Sequence, residues 1–295
     1  MLKPGVYELS THEYFSDELP GVTVPTLSAS IAKVLDQQSP RHAWARHPKL
    51  GGHSRPPTEA MDEGTALHSM LLGAGREVFP VQFDDYRTKA AKEQRDTARA
   101  EGKIPLRAKD FDRLVKVAHE LRDAFRDAGI SLDGDVEQTM LWVERADDGT
   151  EVQCKGMLDL VDWSTGRIVD LKKTENAHPD AIARHVDDYG YAIQEAAYRS
   201  GFAKVRPQLA GRVDFSFAFY ELEPAIVTRA WLDGTYRHIG EARWRRAVNT
   251  WARCLREDRW PGYPPGAVAP PAYVMRREEE RELAEAERAE KGRAA

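Results

Sequence analysis

The stretch that decides the fold is Gly156-Met-Leu-Asp159-Leu-Val-Asp162-Trp-Ser-Thr-Gly166-Arg-Ile-Val-Asp170-Leu-Lys172. Apolar residues on both sides of Ser164-Thr-Gly166 predict two strands joined by a turn. Side chains alternate between the two faces of a strand, so Asp170 and Lys172 should point the same way, about 7 Å apart. The turn should fold Asp159 back beside Asp170. We therefore expect two carboxylates and one ammonium to meet at one end of a sheet.

Outward from this stretch, the pattern predicts an α/β chain with a central mixed sheet flanked by helices. The predicted strands are Val136–Glu144, Val152–Val161, Arg167–Lys172, Val213–Glu221 and Ala225–Trp231. The predicted helices include Thr58–Leu72, an amphipathic helix around Phe111–Phe125, His178–Phe202 and Tyr236–Glu257. The segment Pro40–Pro57, rich in Pro, Gly, His and Arg, is typical of a loop.

The composition is that of a globular protein, with 41% hydrophobic and 31% charged residues. No run of 18 apolar residues predicts a membrane span, and no secretory signal is visible at the start, so we expect a cytoplasmic protein without a membrane partner. The formal charge is −5, from 43 basic and 48 acidic residues. A basic footprint over the whole chain, as many nucleic-acid-binding domains have, is therefore absent.

The Asp159, Asp170 and Lys172 set suits phosphodiester hydrolysis. A hard cation such as Mg²⁺ prefers carboxylate oxygens, and it can hold a phosphate and activate a water. An ammonium can orient that water or neutralise charge in the transition state. The alternative is an ion pair between Asp159 and Lys172 on a solvated sheet face. The apolar strand around Asp170 favours the metal site, because a buried carboxylate is costly unless it is paired or bound to a metal.

The chain resembles the PD-(D/E)XK nucleases, and in particular their RecB/RecE-type branch, which includes phage exonucleases of the exodeoxyribonuclease VIII kind. The resemblance spans Leu27 to about Tyr263 and is carried by four motifs, namely Gly64-Thr-Ala-Leu-His68, Gly156-x-x-Asp159, Asp170-Leu-Lys172 and Gln194-x-x-x-Tyr198. It implies a restriction-endonuclease-like fold. It also implies an N-terminal extension at residues 1–25, a single nuclease domain at 26–275 (mainly helical at 26–130, sheet core and C-terminal helix at 131–275) and a charged tail at 276–295.

The resemblance also implies roles for the motif residues. Asp159 and Asp170 would bind Mg²⁺, for which Mn²⁺ could substitute, together with His68 and the backbone carbonyl of Leu171. Lys172 would serve the water or the scissile phosphate. Gln194 and Tyr198 lie one helical turn apart and could both reach the site or the DNA. The alternatives are a packed histidine at position 68 and ordinary helix-surface polarity at Gln194 and Tyr198.

A second lysine, a further glutamate and the number of cysteines bear on this resemblance. Lys173 competes with Lys172 for the motif lysine, but strand alternation places Lys172 on the face of Asp170. Glu137 could add a carboxylate, although a glutamate at a sheet edge is usually only solvated. Cys154 and Cys254 are too few for the iron–sulfur cluster of some relatives, which favours the phage exonuclease branch.

Two basic clusters are candidates for DNA contact. The first, Arg87, Lys89, Lys92 and Arg95, is expected to form a mobile arm over the groove. The second comprises Arg41, His42, Trp44, Arg46 and His47, in which Trp44 could stack on a base. A solvated surface explains either cluster equally well.

The function expected from the resemblance is a Mg²⁺-dependent exonuclease acting at the ends of linear duplex DNA. Its polarity would be 5′ to 3′, making single-stranded tails for recombination or phage DNA processing. Relatives of this type often work beside a single-strand annealing protein, and some form homo-oligomeric rings around DNA. The alternatives are another polarity or endonuclease action, and a catalytically inactive DNA-binding protein derived from a nuclease.

Overall fold

The computed structural model describes residues 2–52 and 58–294 of the chain. Within these ranges, seven strands form one mixed sheet and two more form a small parallel pair. The strands are β1 Gly5–Tyr7, β2 Leu27–Ser28, β3 Val78–Val81, β4 Ile104–Arg107, β5 Asp135–Arg145, β6 Glu151–Asp162, β7 Arg167–Lys173, β8 Asp214–Glu221 and β9 Ile226–Ala230. The predicted α/β fold with a central mixed sheet is confirmed.

The main sheet has the order β1-β5-β6-β7-β8-β9. Neighbouring strands run antiparallel except β7 and β8, which are parallel. β2 runs parallel to β6 and pairs with Cys154 and Lys155. β7 pairs with the far end of β6, from Leu160 to Asp162. Because β5 occupies the other edge of β6 along its length, β2 and β7 share the remaining edge.

Helices cover both faces of the sheet. They are α1 Thr11–Ser16, α2 Ala29–Gln37, α3 Pro40–Arg46, α4 Glu59–Leu72, α5 Lys89–Ala100, α6 Ala108–Asp127, α7 Pro179–Asp188, α8 Tyr191–Val205, α9 Gly234–Glu257 and α10 Ala272–Ala294, with a 3-10 helix at Pro207–Arg212. One core joins α2, α8 and α9 to side chains such as Phe215, Phe217 and Trp142. The other joins α4 and α6 to Val169, Leu171 and their neighbours. The sheet is therefore buried on both sides.

Two local predictions were wrong. Pro40 begins α3, where proline fits the first turn because it has no N–H to leave unpaired, so residues 40–46 are not a loop. Residues 53–57 of the same predicted loop lie outside the described residues. The segment expected to form a mobile arm contains the helix α5, capped by Thr88 and with Ala91 and Ala98 buried, and its mobility stays a prediction. The helix predicted at 178–202 is two helices, α7 and α8, separated at Gly190, whose φ of 62° ends a right-handed helix.

The segment before β2 is bound to the sheet. β1 pairs with β5, and Asp17, fully buried at the end of α1, lies 2.7 Å from the ammonium of Lys155 on β6. Thr26 donates its backbone N–H to the same carboxylate at 3.1 Å. These contacts make the first residues part of the packed structure.

The chain divides into two compact units, Met1–Trp260 and Pro261–Ala295. The second contains α10, whose described side chains are almost all exposed and rich in Glu and Arg. None of the helices in the described part of the chain is both long and apolar enough to cross a membrane.

Candidate active site

The site lies at an opening in the sheet beside β6. On one edge of β6, β2 pairs as far as Lys155 and β7 begins to pair at Leu160. Among the described residues, no strand pairs with positions 156–159 on this edge. The phenol of Tyr14 contacts the backbone of Met157 there, and the backbone N–H of Leu171 donates to the side-chain Oδ2 of Asp159 at 2.8 Å. The sheet therefore parts at the predicted Gly156-x-x-Asp159 motif.

Asp170 lies on β7 in the apolar interior, with 1% of its surface exposed. Its Oδ1 forms an ion pair with the ammonium of Lys172, and its Oδ2 accepts a hydrogen bond from Gln194 Nε2 at 2.6 Å. Burial raises the pKa of Asp170 to about 6, although Lys172 acts against this shift. Asp170 and Lys172 thus share a face of β7 toward α8, whereas exposed Lys173 takes no part in this pair.

Asp159 is held from the other side of the sheet. Nε2 of His68, on α4, lies 3.4 Å from Asp159 Oδ1, and Nδ1 lies 3.6 Å from Oε1 of Glu137. Burial alone would lower the pKa of His68, but the two carboxylates raise it to about 10. Burial alone would raise the pKa of Asp159, and His68 lowers it. His68 and Glu137 therefore join Asp159 in one charged cluster.

The alternation of side chains along β6 breaks at Asp159. In β6, Leu158 belongs to the core under α8 and α9, whereas Leu160 belongs to the core under α4 and α6. In regular alternation these two residues would share a face. The pairing of β5 with β6 skips Glu137 and Asp159, between Val136 opposite Leu160 and Gln138 opposite Leu158, and the φ of Glu137 is 49°. The alternation of β6 therefore changes where Glu137 takes up a left-handed conformation.

Gly156 and Tyr198, which belong to two different motifs, pack against each other. A Cβ added to Gly156 would lie 2.8 Å from Cε1 of Tyr198, whose ring is buried. Tyr198 also contacts Gln194 through its hydroxyl. The Tyr198 ring therefore lies in the core, where its hydroxyl contacts Gln194, instead of reaching toward solvent. Gly156 provides the space for this ring.

We expect Gly156→Ala to destabilise the fold by about 1–3 kcal/mol, because the methyl group would overlap a ring that is enclosed on all sides. The matched control is Gly64→Ala on α4, where an added Cβ meets no atom within 4 Å. That change should stabilise by about 0.5–1 kcal/mol, as alanine does inside helices. Urea unfolding of both variants measures the two effects. Equal stability of Gly156→Ala and the unchanged protein would contradict this packing.

Sequence reasoning missed Lys33 and Tyr191. Lys33 Nζ, on α2, donates to Gln194 Oε1 at 2.9 Å, a contact between residues 161 positions apart. The ammonium groups of Lys33 and Lys172 lie 4.9 Å and 5.0 Å from the centre of the Tyr191 ring. Burial, followed by the charge of Lys172, lowers the pKa of Lys33 to about 7. No local pattern marks Lys33, because its place at the site depends on how α2 packs on α8.

The predicted DNA-contacting residues have other partners in the described part of the chain. Arg87, Lys89 and Arg95 have acidic neighbours, with Lys89 3.6 Å from Glu93 and Arg95 2.8 Å from Asp96, and Lys92 lies on the same helix, α5. Trp44 is half-buried, with the Arg41 guanidinium 4.3 Å from its ring centre. His47 of the second cluster is buried and bonds to the carbonyl of Thr26 at 3.0 Å. DNA binding by the exposed members stays a prediction.

The donor groups at the opening suit a hard divalent cation. Within the described residues, no three His, Cys, Asp or Glu side chains are gathered as ligands around one point. Mg²⁺ does not need such a cage, since proteins often bind it through one or two carboxylates while it keeps its waters and a substrate phosphate. Asp159 and Asp170 are two carboxylates close enough to affect each other's charge, and their binding of a metal stays a prediction. The N–H of Leu171 points to Asp159, and its carbonyl should point to the same side, as in an extended strand.

Comparison with known proteins agrees with this geometry. A family model described as a PDDEXK-like domain of unknown function matches residues 28–264. A crystal structure from Eubacterium rectale, named "Putative exonuclease", is 15% identical and aligns with a TM-score of 0.54 over 88% of this chain and 97% of its own. This likeness is one of fold, and it confirms the expected restriction-endonuclease-like architecture. No curated protein matches the chain. Because the family model covers most of its length, the chain belongs to the family of PDDEXK-like domains, within the PD-(D/E)XK nuclease superfamily.

Proposed function

We propose that this protein is a metal-dependent deoxyribonuclease that hydrolyses linear duplex DNA from its ends. The observation that carries the proposal is the buried carboxylate of Asp170, which contacts Lys172 and Gln194 next to the opening beside Asp159. A fold gains no stability from a carboxylate whose pKa is raised by burial. Such groups are typical of active sites, where the environment serves chemistry instead of stability.

We propose that Asp159, Asp170 and the carbonyl of Leu171 hold the metal ion, with His68 as a further ligand when its imidazole is neutral. Mg²⁺ is the expected ion, and Mn²⁺ should substitute. The bound ion would polarise the scissile phosphate and lower the pKa of a water. Glu137, which contacts His68, would keep the imidazole oriented toward Asp159.

The remaining side chains have roles that follow from their contacts. Lys172 lies against Asp170 and can neutralise negative charge that develops on the phosphate. The Gln194 amide donates to Asp170 and accepts from Lys33, so these two contacts fix which way its oxygen and nitrogen point. The Tyr198 hydroxyl contacts the Gln194 side chain from within the core. In this proposal Gln194 and Tyr198 position the site, and Lys172 acts on the substrate.

The finer assignment follows the RecB/RecE-type resemblance of the sequence. We propose exonuclease action of 5′-to-3′ polarity, which would leave single-stranded tails for recombination or phage DNA processing. A single-strand annealing protein and a homo-oligomeric ring are the partners that this role suggests. The same role would place the protein in the cytoplasm of a bacterium or of a phage-infected host. The proposed contacts to the duplex are Trp44, Arg87 just before α5, and three residues of α5, namely Lys89, Lys92 and Arg95.

End specificity and polarity can be tested together. In Mg²⁺, the protein should shorten linear duplex DNA while leaving a covalently closed circle of the same sequence intact. Label at the 5′ end should be released first as short products, and label at the 3′ end should persist in long strands. Gel analysis of both labelled substrates against time measures this.

Other outcomes separate the alternatives. Early release of the 3′ label would show that the polarity is 3′ to 5′ and not 5′ to 3′. Cutting of the closed circle would show that the enzyme is an endonuclease and not an exonuclease. Binding of linear DNA without cleavage in either Mg²⁺ or Mn²⁺ would overturn the nuclease assignment and leave a DNA-binding protein.

A further inference from the structure

A cavity of about 610 Å³ lies at the end of β7, next to the catalytic lysine. Its lining residues are Lys173, Thr174, Glu175, Asn176, His185, Tyr189, Tyr191 and Phe219. Tyr191 forms a wall shared with the active site, since its ring centre lies 5.0 Å from the ammonium of Lys172. The volume falls within the range of about 300–1,000 Å³ that is usual for small-molecule sites. A group bound here would be a direct neighbour of a phosphate at Lys172.

Aromatic rings lead from the active site into this cavity. Tyr191 contacts Phe217 and Phe219 of β8 at ring-centre distances of 5.6 Å and 5.9 Å. Tyr189 follows, 5.6 Å from Tyr191, and His185 lies 5.7 Å beyond it. Tyr191 is already covered by the two lysine ammonium groups, whereas Tyr189 is 56% exposed. Tyr189 is therefore the ring that an incoming aromatic group can meet.

Tyr189 is held at a fixed corner of the backbone. It caps α7, and Gly190 in the left-handed conformation begins α8 directly after it. Gln37 of α2 donates its side-chain amide to the carbonyl of Asp188 at 2.8 Å. An exposed ring on a rigid corner loses little conformational freedom on binding, which makes it an effective stacking surface.

The polar lining suits a nucleotide. Lys173 is exposed at the end of β7, and among the described residues it forms no ion pair, so its charge is available to a phosphate. Thr174 and Asn176 add hydroxyl and amide groups, and Glu175 is the acidic member of the lining. Aromatic stacking beside a backbone-binding cation is the usual way in which proteins hold unpaired bases without reading sequence. A base inside a duplex cannot offer its face to Tyr189, because both of its faces are stacked.

We propose that this cavity binds an unpaired nucleotide flanking the scissile phosphate, with its base on Tyr189 and its own phosphate at Lys173. The inference rests on the proposed nuclease function, and it specifies the form of substrate at the site, which is a strand separated from its complement next to the cleaved bond. Duplex ends would then have to open by at least one base pair before cleavage. Substrates with frayed ends should be cut faster than blunt ones.

The test is the affinity for a short single-stranded oligonucleotide that carries 2-aminopurine, measured by its fluorescence with Ca²⁺ in place of Mg²⁺. Tyr189→Ala should weaken binding about tenfold and abolish the quenching that stacking causes. Tyr189→Phe keeps the ring and should remain within about twofold of the unchanged protein. Lys173→Gln should weaken binding and reduce the dependence of affinity on salt by about one phosphate contact.

The matched control is Trp231→Ala, which removes an aromatic ring that is 66% exposed and does not line the cavity. It should bind the probe as the unchanged protein does. Unaltered binding by Tyr189→Ala, or equal weakening by both alanine variants, would overturn the proposal. Cleavage of duplex DNA is scored separately in Mg²⁺. A protein that cleaves DNA but ignores Tyr189 refutes this inference alone, whereas one that stacks the probe on Tyr189 but never cleaves refutes the nuclease assignment.

Discussion

Asp170→Asn should lower the rate of DNA cleavage at least about 100-fold. The substitution keeps the size of the side chain and an oxygen that can accept the hydrogen bond from Gln194. It removes the negative charge that would hold a cation and that now balances Lys172. Because Asp170 lies 1% exposed beside the opening, no nearby solvent can replace that charge. The loss should appear in kcat more than in the affinity for DNA.

The matched control is Asp135→Asn, an exposed carboxylate at the start of β5 in the same sheet, which should leave the rate unchanged. Lys172→Met should lower the rate of DNA cleavage to a level similar to that of Asp170→Asn. The double variant should be no worse than either single one, because groups that act as a unit do not lose their effects additively. Circular dichroism and urea unfolding show whether each variant is folded. If Asp170→Asn is folded and cleaves DNA at a near-normal rate, Asp170 has no role in catalysis.

The sequence was sufficient for the features that arise within a few residues. Alternation along a strand places Asp170 and Lys172 on one face, and the turn at Ser164-Thr-Gly166 brings β6 and β7 together. The helices α4, α6 and α9 follow from apolar spacing, and α4 ends at Gly73, whose φ of 68° is readily adopted by glycine. These features depend on local geometry, which the order of residues encodes directly.

The features that the sequence did not predict depend on contacts between distant segments. Strands β1 and β2 are three and two residues long, too short for a periodic pattern, and each exists because it pairs with a longer strand. Lys33 reaches the site only because α2 packs beside α8. The change of alternation at Glu137 and Asp159 arises from one left-handed residue, for which glutamate gives no signal.

The buried pair of Asp17 and Lys155 is expected to be the strongest attachment of the N-terminal segment. Asp17→Asn should cost about 3–5 kcal/mol of stability, because it leaves the ammonium of Lys155 buried without its counter-charge. Asparagine is a fair test at this position, since the φ of residue 17 is 64° and asparagine tolerates that conformation. Urea unfolding at neutral pH measures the loss.

The stability that the Asp17 carboxylate contributes should fall as the pH becomes more acidic. Burial alone would raise the pKa of Asp17, but Lys155 and Thr26 lower it below its usual value. The carboxylate therefore contributes its full stability above the pKa of the unfolded state, about 3.9, and loses it as the pH falls through the lower folded value. The difference in stability between the unchanged protein and Asp17→Asn should be constant from pH 5 to 7 and shrink only in stronger acid.

A double-mutant cycle separates the ion pair from simple packing. Lys155→Met should also destabilise, because Asp17 would keep only Thr26, the imidazole of His47 at 3.6 Å, which is neutral because burial lowers its pKa to about 4, and the more distant charge of Lys49 at 3.7 Å. Combined with Asp17→Asn, it should cost less than the sum of the single changes, since no charge is then left alone. Strictly additive costs would mean that the two groups act independently. In that case the attachment of the N-terminal segment would depend on the apolar contacts of Leu2, Leu19 and Val22, which flank α1 in the sequence.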